Sequence, residues 1–309
     1  MNAIPVLLIG YNRPELLKKR FHELMKQKPS ALYISIDGGA QSETNEMKDL
    51  IEEIEKISRY DSSVVLKILP FNLGLARHVT SAIENVFSSY TNLIIVEDDV
   101  LLSKNFYSNM CKGFDAMSET HDTHVVSAFS PRASNPNAKN HWRKSVYFSP
   151  WGWGTSREFW NDFKLDLKNE NFERILEKSE TWNSLSKIQK NTWIYRFQKI
   201  SENPLNTWDI QFQYLIFKTS TLCLLPKFRF VDNEGYLDSR SVHTKEEKPR
   251  WFKDGLVDSE LHIGLKNPKI EFIASYIDAQ TIAGDTWLAG NWKKLRRFRI
   301  FQYLVQFLT

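Results

Sequence analysis

Residues 93–102, LIIVEDDVLL, decide the fold, because here an apolar run ends abruptly in three acids. Residues 93–96 are a continuous run of branched aliphatic side chains, which is typical of a strand buried on both faces of a sheet. Glu97, Asp98 and Asp99 therefore follow the carboxyl end of this strand. In an open, mostly parallel α/β sheet that edge binds ligands, so the acids are candidates for holding a hard cation that carries a phosphate substrate. The alternative is a solvated acidic turn.

The composition is that of an ordinary globular protein. The chain has 309 residues, 42% of them hydrophobic and 25% charged, which favours one large α/β domain or two halves sharing a sheet. No apolar run approaches the roughly 18 residues of a membrane span. The first ten residues, MNAIPVLLIG, lack the basic flank and the cleavage site of a signal peptide. We therefore expect a cytoplasmic protein.

The cysteines predict no disulfide or zinc site, and the positive charge is concentrated near the end of the sequence. Cys111 and Cys223 are isolated in apolar or helical surroundings, which favours buried thiols over a disulfide or a zinc site. Five cations in residues 293–299 account for more than the net charge of +4, so the remainder of the chain carries about −1. The basicity belongs to the tail, and we predict no nucleic-acid partner.

The segments on either side of the acids alternate between strand and helix patterns. Strands are predicted at residues 4–10, 32–36, 64–69 and 93–96, and helices at 15–27, 46–58 and 75–90. This order predicts a parallel sheet with right-handed crossovers and a ligand at the strand ends. The chain has neither GxGxxG after the first strand nor GxxxxGK[ST], which argues against a dinucleotide oxidoreductase or a P-loop enzyme. A metal ion bound by acidic residues would then have to neutralise the charge of the phosphates.

Four motifs in this order, IGYNRPE, SIDGG, NLGLARH and VEDDV, carry a family resemblance. The sequence resembles GT-A glycosyltransferases, especially the N-acetylglucosaminyltransferase I-like group and related bacterial polysaccharide enzymes, from about residue 4 to residue 243. The acidic motif has the form EDD, not a spaced DxD. The resemblance implies a Rossmann-like α/β fold with a mostly parallel sheet flanked by helices. Residues 1–102 would be the nucleotide-sugar-binding half, 103–245 the acceptor half of the same domain, and 246–309 a C-terminal extension.

The resemblance also implies roles for individual residues. Arg13, Asp37 and His78 would bind the nucleotide base or ribose, and Asp99 would bind Mn²⁺ or Mg²⁺ bridging the diphosphate. The other candidate donor-binding residues are Asn72, Arg77, Glu97 and Asp98. Simpler alternatives remain open, since Arg13 and His78 would also suit a helix surface, and Asp37 a turn.

The acceptor half contains two candidate stacking residues. In residues 149–155, SPWGWGT, the indoles of Trp151 and Trp153 alternate with glycines, so each could stack on an acceptor sugar or pack within a turn. Before them a helix is predicted at 103–119, a strand at 125–129, and a polar loop at 130–143. That loop suits either a lid over the donor or a surface connection.

Asp209 is the candidate general base. Residues 207–209, TWD, open an apolar helix at 210–218, and in the resembling family an aspartate in such a turn takes the proton of the acceptor hydroxyl. Helix capping is the competing interpretation, because an acid is favoured in a first helical turn. Residues 170–203 are expected to be a solvated helical cover, and strands are expected at 222–225 and 228–231. The resemblance further suggests that His243 contacts the metal or the diphosphate, although a lone histidine in a loop is more often structural.

The tail, residues 291–309, is basic and aromatic. Its cations cluster in the first half, and its apolar run is too short to span a bilayer, so it favours lying on an anionic membrane at the inner face of the cell membrane. Packing on the enzyme's own body and an oligomer interface are the alternatives.

Together these features predict a metal-dependent, inverting hexosyl- or N-acetylhexosaminyltransferase. We expect it to move a sugar from a nucleoside-diphosphate donor, with UDP favoured, to a glycan or lipid-linked saccharide in surface-polysaccharide or glycolipid synthesis. The alternatives are a sugar nucleotidyltransferase and a catalytically inactive sugar-binding protein with the same fold.

Overall fold

The computed structural model describes residues 4–39, 44–130 and 142–235. The strands are β1 Val6–Gly10, β2 Leu32–Ile36, β3 Val64–Ile68, β4 Asn92–Glu97, β5 Val100–Leu102, β6 Thr123–Ser127, β7 Trp142–Ser145, β8 Trp153–Ser156, β9 Leu222–Pro226 and β10 Val231–Asn233. The helices are α1 Pro14–Gln27, α2 Asn45–Tyr60, α3 Leu75–Phe87, α4 Phe106–Ser118, α5 Arg157–Trp160, α6 Phe172–Leu176, α7 Glu180–Asn183, α8 Lys187–Glu202 and α9 Asp209–Lys218. The expected alternation of strands and helices through β4 is confirmed.

One mostly parallel sheet of eight strands runs through the described part of the chain, in the order β3-β2-β1-β4-β8-β6-β9-β7. Strands β1 to β4 pair in parallel, whereas β8 lies antiparallel between β4 and β6. Strands β5 and β10 form a separate antiparallel pair. The parallel strands therefore bring their carboxyl ends, and the residues that follow them, to one edge of the sheet.

Helices cover both faces of the sheet. Leu17, Phe21 and Leu24 of α1 pack with α2, α4 and one face of the sheet. Helices α3 and α9 pack on the opposite face, where Val79 and Phe212 belong to the second core. The apolar stripes of these helices form the two sides of a three-layer α/β arrangement.

Residues 170–203 differ from the expected solvated cover. They form three helices, α6 to α8, around a third apolar cluster that includes Trp193, Phe197 and Phe217. A capping box between Ser186 and Gln189 begins α8. The many polar residues of this segment obscured the apolar positions that the helices bury.

Two further expectations were wrong in detail. Trp142 and Arg143, which were expected in a polar loop, begin β7, and residues 131–141 lie outside the described part. Trp153, expected in a turn, begins β8 because its backbone pairs with Ile95 of β4 and with Ser127 of β6. No helix in the ranges that the structure describes is both long and apolar enough to cross a membrane.

Candidate active site

The carboxyl edge of the parallel strands gathers most of the predicted site residues. Arg13 follows β1, Asp37 follows β2, Asn72 lies between β3 and α3, and Glu97 ends β4. The parallel register aligns these positions, because Ile9 pairs with Glu97 and Gly10 pairs with Ile36. This edge is the candidate active site.

Arg13 forms ion pairs with Asp98 and Asp99, two acids of the EDD motif. Its guanidinium donates to Asp98 through Nη2, and Nη1 donates to Oδ2 of Asp99 at 3.1 Å. The three side chains are largely buried, with 14%, 4% and 12% of their surfaces exposed. Burial alone would lower the pKa of Arg13, but the two carboxylates outweigh it and raise that pKa. The sequence placed Arg13 on a base or ribose, and this contact with the acids was missed.

Two of the three acids of the EDD motif resist ionisation in this environment, even with Arg13 beside them. Burial raises the pKa of Glu97 to about 8, and the charges of Asp99, Asp98 and Asp209 add to the shift. Burial also raises the pKa of Asp98 to about 7, although its contact with Arg13 opposes the shift. The pocket therefore favours binding of a further positive charge.

Asp99 is held from its backbone side by the segment that follows β10. The backbone N–H of Glu234 donates to the carbonyl oxygen of Asp99 at 2.7 Å, and Gly235 N–H donates to Oδ1 of Asn233 at 2.8 Å. Gly235 approaches so closely that a Cβ atom added there would overlap Oδ2 of Asp99. This close backbone approach fixes where the Asp99 carboxylate lies.

An ionic cluster around the buried Arg20 connects that segment to α1. Arg20 is fully buried and donates to both Glu23 and Glu234, and Lys19 Nζ lies 2.6 Å from Oε1 of Glu234. Sequence reasoning missed Arg20, although it lies on the stripe that Leu17, Phe21 and Leu24 bury. The cluster connects the helix that Arg13 precedes to the segment that supports Asp99.

Asp209 reaches the same site from α9. It is partly buried in the first turn, and its charge is close enough to Glu97 to contribute to the raised pKa of Glu97. Its Oδ1 accepts the N–H of Ile210 at 3.0 Å and the hydroxyl of Thr207. Within the described ranges no donor contacts its Oδ2. Asp209 thus supports the helix start with one oxygen and keeps the other available.

Asp37 organises the turn before α3. Its carboxylate accepts backbone N–H groups from Gly38 at 3.1 Å, Leu73 at 2.9 Å and Gly74 at 3.1 Å. Gly74 has φ +76°, a conformation that favours glycine, and it is the N-cap of α3. Asp37 is buried, so the turn-forming alternative describes its contacts in this structure.

His78 and Arg77 face opposite ways. His78 is buried, and its Nε2 lies 2.8 Å from Oγ of Ser35 in β2. Burial lowers the pKa of His78, and the nearby charge of Asp37 opposes this shift. Arg77, one residue earlier, is exposed. Of this pair, only Arg77 has a solvent-facing side chain.

Two aromatic residues at this edge were missed. Nδ2 of Asn72 donates to the hydroxyl of Tyr11 at 2.6 Å, and Oδ1 of Asn72 accepts the N–H of Gly74 at 2.7 Å. Phe71, next to Asn72, is 62% exposed. The stretch FNLG places an aromatic residue directly before turn-forming residues, and this pattern was an available signal in the sequence.

The two tryptophans of the acceptor prediction have different environments. Trp151 is partly buried and meets Phe129 edge to face at 4.6 Å. Trp153 is fully buried and stacks on Trp208 at 5.1 Å, within the core that also contains Phe212. Trp153 therefore has no face for a sugar, and its assignment as an acceptor platform was wrong, whereas Trp151 remains a candidate.

The acids suit a metal that is shared with a substrate. In the described ranges, no cluster of three or more His, Cys, Asp or Glu residues could hold a metal by itself. A small hard cation commonly takes one or two carboxylates and completes its shell with substrate phosphates and water. The carboxylates of Asp98 and Asp99 lie side by side and supply only oxygen donors, which fits such a cation. A bound cation would also displace the protons that the raised pKa values of Glu97 and Asp98 favour. His243, the second predicted metal ligand, lies outside the described residues, as do residues 291–309.

The mostly parallel α/β sheet, with an acidic cluster at its carboxyl edge, defines a protein with the GT-A glycosyltransferase fold. The chain belongs to the GNT-I family, whose family model matches residues 1–171. No curated protein matches the chain.

Three solved structures are similar to this chain at low identity. A mannosyltransferase from Pyrobaculum calidifontis, in complex with GDP-Man and Mn²⁺, has 10% identity and a TM-score of 0.42, over 71% of this chain and 69% of that one. An inositol-1-phosphate CTP transferase from T. maritima has 14% identity and a TM-score of 0.37, over 74% and 88%. A UDP-glucose pyrophosphorylase complexed with UDP-glucose has 8% identity and a TM-score of 0.37, over 76% and 94%.

Proposed function

We propose that the protein is a metal-dependent, inverting glycosyltransferase. It moves a hexose or N-acetylhexosamine from a UDP-sugar to a glycan or lipid-linked saccharide. The observation that carries this proposal is that one further acid lies near the EDD cluster. Asp209, at the start of α9, is close enough to Glu97, at the end of β4, to contribute to the raised pKa of Glu97. A transfer at an anomeric carbon needs both a carboxylate to accept a proton and stabilisation of a departing diphosphate.

Asp209 is the proposed general base. Its Oδ1 is occupied by Thr207 and the N–H of Ile210, which orients the carboxylate and leaves Oδ2 for the acceptor hydroxyl. Since Asp209 is only partly buried, an acceptor can approach it from solvent. Oδ2 takes the hydroxyl proton as the acceptor oxygen attacks the anomeric carbon, and the bond from that carbon to the diphosphate breaks with inversion.

Asp99 is the proposed metal ligand, with Asp98 beside it. A bound Mn²⁺ or Mg²⁺ would neutralise charge on the departing diphosphate. Asp99 is suited to this role because the backbone of Glu234 and the close approach of Gly235 hold it in place. The fixed carboxylate avoids reorganisation during the reaction, which is the main advantage of a preorganised site.

The nucleoside would lie along the ends of β1 to β3. Tyr11 and Asn72 offer hydroxyl and amide groups in a hydrogen-bonded pair, and Phe71 offers an exposed ring for stacking. Asp37 and His78 would support this edge indirectly. Asp37 accepts a backbone N–H group of the turn before α3, and His78 contacts Ser35 of β2. The exposed guanidinium of Arg77 is a further donor-binding candidate at the start of α3.

The direct test is a transfer assay on the full chain with Mn²⁺ and a panel of UDP- and GDP-sugars. We expect donor hydrolysis, and transfer to saccharide acceptors, that EDTA and Asp99→Ala both abolish. Asp162→Asn changes an exposed acid outside the site and should leave the rate unchanged. If activity persists in both EDTA and Asp99→Ala, the metal proposal is wrong. Formation of a nucleotide sugar from a sugar 1-phosphate and a nucleoside triphosphate would instead identify a nucleotidyltransferase.

Membrane contact through residues 291–309 is part of the proposal, because lipid-linked acceptors are presented at a membrane surface. The sequence supports it with five cations followed by an aromatic and aliphatic run. The full chain should sediment with anionic but not neutral vesicles, and high salt should release it. Deletion of residues 293–309 should remove this behaviour, and salt-insensitive sedimentation would contradict it.

A further inference from the structure

Arg13 contacts the carboxylates that the proposed function gives to a metal. Nη1 of Arg13 lies 3.1 Å from Oδ2 of Asp99, while Nη2 and Nε both contact Asp98. The guanidinium therefore reaches oxygens of two acids at once. Such charge-assisted contacts from a planar, permanently charged group are among the stronger hydrogen bonds in proteins.

The surrounding structure holds Arg13 at this position. Arg13 follows β1 directly and is the N-cap of α1, with Pro14 at the first helical position. Further along α1, Arg20 contacts Glu234, whose backbone N–H donates to Asp99. The start of the helix that Arg13 caps and the segment that supports Asp99 are thus connected, and this connection keeps the guanidinium close to Asp98 and Asp99.

A divalent cation that arrived alone would meet this arginine. It would have to share Asp98 and Asp99 with a guanidinium whose contacts lie within hydrogen-bonding distance, and the two like charges would repel in a mostly buried cleft. A diphosphate removes the conflict, because it brings negative charge and offers the guanidinium new oxygen acceptors. Arg13 could then move to the phosphates while the metal takes the carboxylates.

We propose that Arg13 is an internal counter-ion that competes with the divalent metal for Asp98 and Asp99, so that the metal and the nucleoside diphosphate bind cooperatively. This inference rests on the proposed function and adds to it a control of metal binding by the donor. Coupling between two ligands is reciprocal, so UDP tightens Mn²⁺ binding by the same factor by which Mn²⁺ tightens UDP binding. The arginine keeps the site closed to free metal until the donor arrives.

The experiment measures free Mn²⁺ by electron paramagnetic resonance during titrations of the full chain without nucleotide. Arg13→Gln should bind Mn²⁺ alone about tenfold more tightly than the wild type, which is within the usual range of coupling between sites. Lys18→Gln is the matched control, because Lys18 lies on the same helix but pairs with Glu53, at 2.9 Å. It removes the same charge and should leave Mn²⁺ affinity within about twofold of the wild type, as expected for a screened surface charge.

A second measurement compares Mn²⁺ affinity with and without nucleotide, and its wild-type part applies even if Arg13→Gln does not fold. In the wild type, Mn²⁺ affinity should rise about tenfold or more when UDP or GDP is present at saturation. In Arg13→Gln that increase should be clearly smaller. Equal Mn²⁺ affinity with and without bound nucleotide in the wild type would overturn the inference, as would an Arg13→Gln variant that binds Mn²⁺ no better than the wild type.

These failures are distinguishable from failure of the proposed function. If the protein transfers sugar with Mn²⁺ but shows no cooperativity, only the role of Arg13 is wrong. If Arg13→Gln binds no Mn²⁺ and the wild type binds none with either nucleotide, both the metal site and the competition are wrong.

Discussion

Gly235 lies so close to Asp99 that the structure leaves no room for a side chain between its Cα and the Asp99 carboxylate. The neighbouring residue, Glu234, also donates its backbone N–H to the carbonyl oxygen of Asp99, at 2.7 Å. The segment after β10 thus supports the acid that is proposed to bind metal, from both its backbone and its side chain.

This relationship predicts that Gly235→Ala displaces the Asp99 carboxylate. The added methyl group would overlap Oδ2, so the variant should lose Mn²⁺ affinity in the presence of UDP by about tenfold or more, as expected when a ligand oxygen moves. A double-mutant cycle checks the cause. If the overlap with Asp99 is responsible, Gly235→Ala should lower the free energy of unfolding more in the wild type than in the Asp99→Ala background, where the carboxylate is absent. Equal costs in both backgrounds would contradict the prediction.

The ionic cluster beneath this segment predicts a stability effect. Arg20→Met removes a fully buried guanidinium and leaves Glu23 and Glu234 without that partner. Because both carboxylates are 26% exposed, water compensates in part, and we expect a loss of about 1–3 kcal/mol in the free energy of unfolding, measured in urea. Lys18→Met is the control, since the side chains of Lys18 and Glu53 are 49% and 32% exposed, and ion pairs at the surface contribute about 0–1 kcal/mol. Equal losses for the two variants would show that burial of Arg20 adds nothing.

The strands and helices of residues 4–97 were predictable from local patterns. Continuous apolar runs specify β1 and β4, and apolar stripes at helical spacing specify α1 to α3. The carboxyl edge of the sheet and the acids on it therefore follow from the sequence. Asp209 could be placed on the site only by resemblance, because the contact between α9 and β4 depends on the packing of the whole second half.

The errors arose where local pattern does not determine burial. An indole flanked by glycines has the same sequence whether it faces a sugar or the core, and Trp153 became a core residue because β8 inserts between β4 and β6. The contacts of Arg13 were also not readable, since they depend on the side-chain direction after β1 and on the position of the EDD turn. An ion pair of Arg20 could have been predicted from the sequence, because a cation on a buried helical stripe needs a partner.

His78 predicts how stability depends on pH. Burial lowers the pKa of His78 below its ordinary value of 6.5, so the native state releases a proton that the unfolded chain still binds. Stability from this residue is therefore complete above about pH 6.5 and falls as the pH decreases below that value. His78→Gln should flatten the stability profile between about pH 7 and pH 5 in urea unfolding. His121→Gln, at an exposed position, is the control, and an unchanged slope in His78→Gln would refute the assignment.

Phe71 predicts a contribution to nucleotide binding. Its ring is 62% exposed beside the hydrogen-bonded pair of Asn72 and Tyr11. Stacking of a base on an aromatic side chain contributes about 1–3 kcal/mol, so Phe71→Ala should weaken UDP binding about fivefold or more in calorimetry. Tyr60→Ala removes another exposed ring, 93% exposed on α2, and should have no effect. If both variants bind UDP like the wild type, the base does not stack on Phe71.

A substitution at Asp209 should affect the transfer step but not donor binding. Asp209→Asn keeps nearly the same shape and retains an oxygen for the N–H of Ile210, but it cannot accept a proton at neutral pH. We expect donor affinity within about twofold of the wild type and a loss of roughly 10²–10⁴-fold in kcat, because the general base is gone while the donor site is intact. Calorimetry with UDP and single-turnover transfer rates measure the two quantities separately.

Thr207→Val is the matched comparison for Asp209→Asn. It removes the hydroxyl that contacts Oδ1 of Asp209 and leaves the carboxylate and its charge in place. If Asp209 is the base, Thr207→Val should lower kcat only modestly, by about tenfold or less, because the carboxylate is less well oriented but still accepts a proton. Equal losses in the two variants would indicate that Asp209 acts by supporting the start of α9. Unchanged turnover in Asp209→Asn would show that another group takes the proton, and a product with retained anomeric configuration would exclude the inverting mechanism.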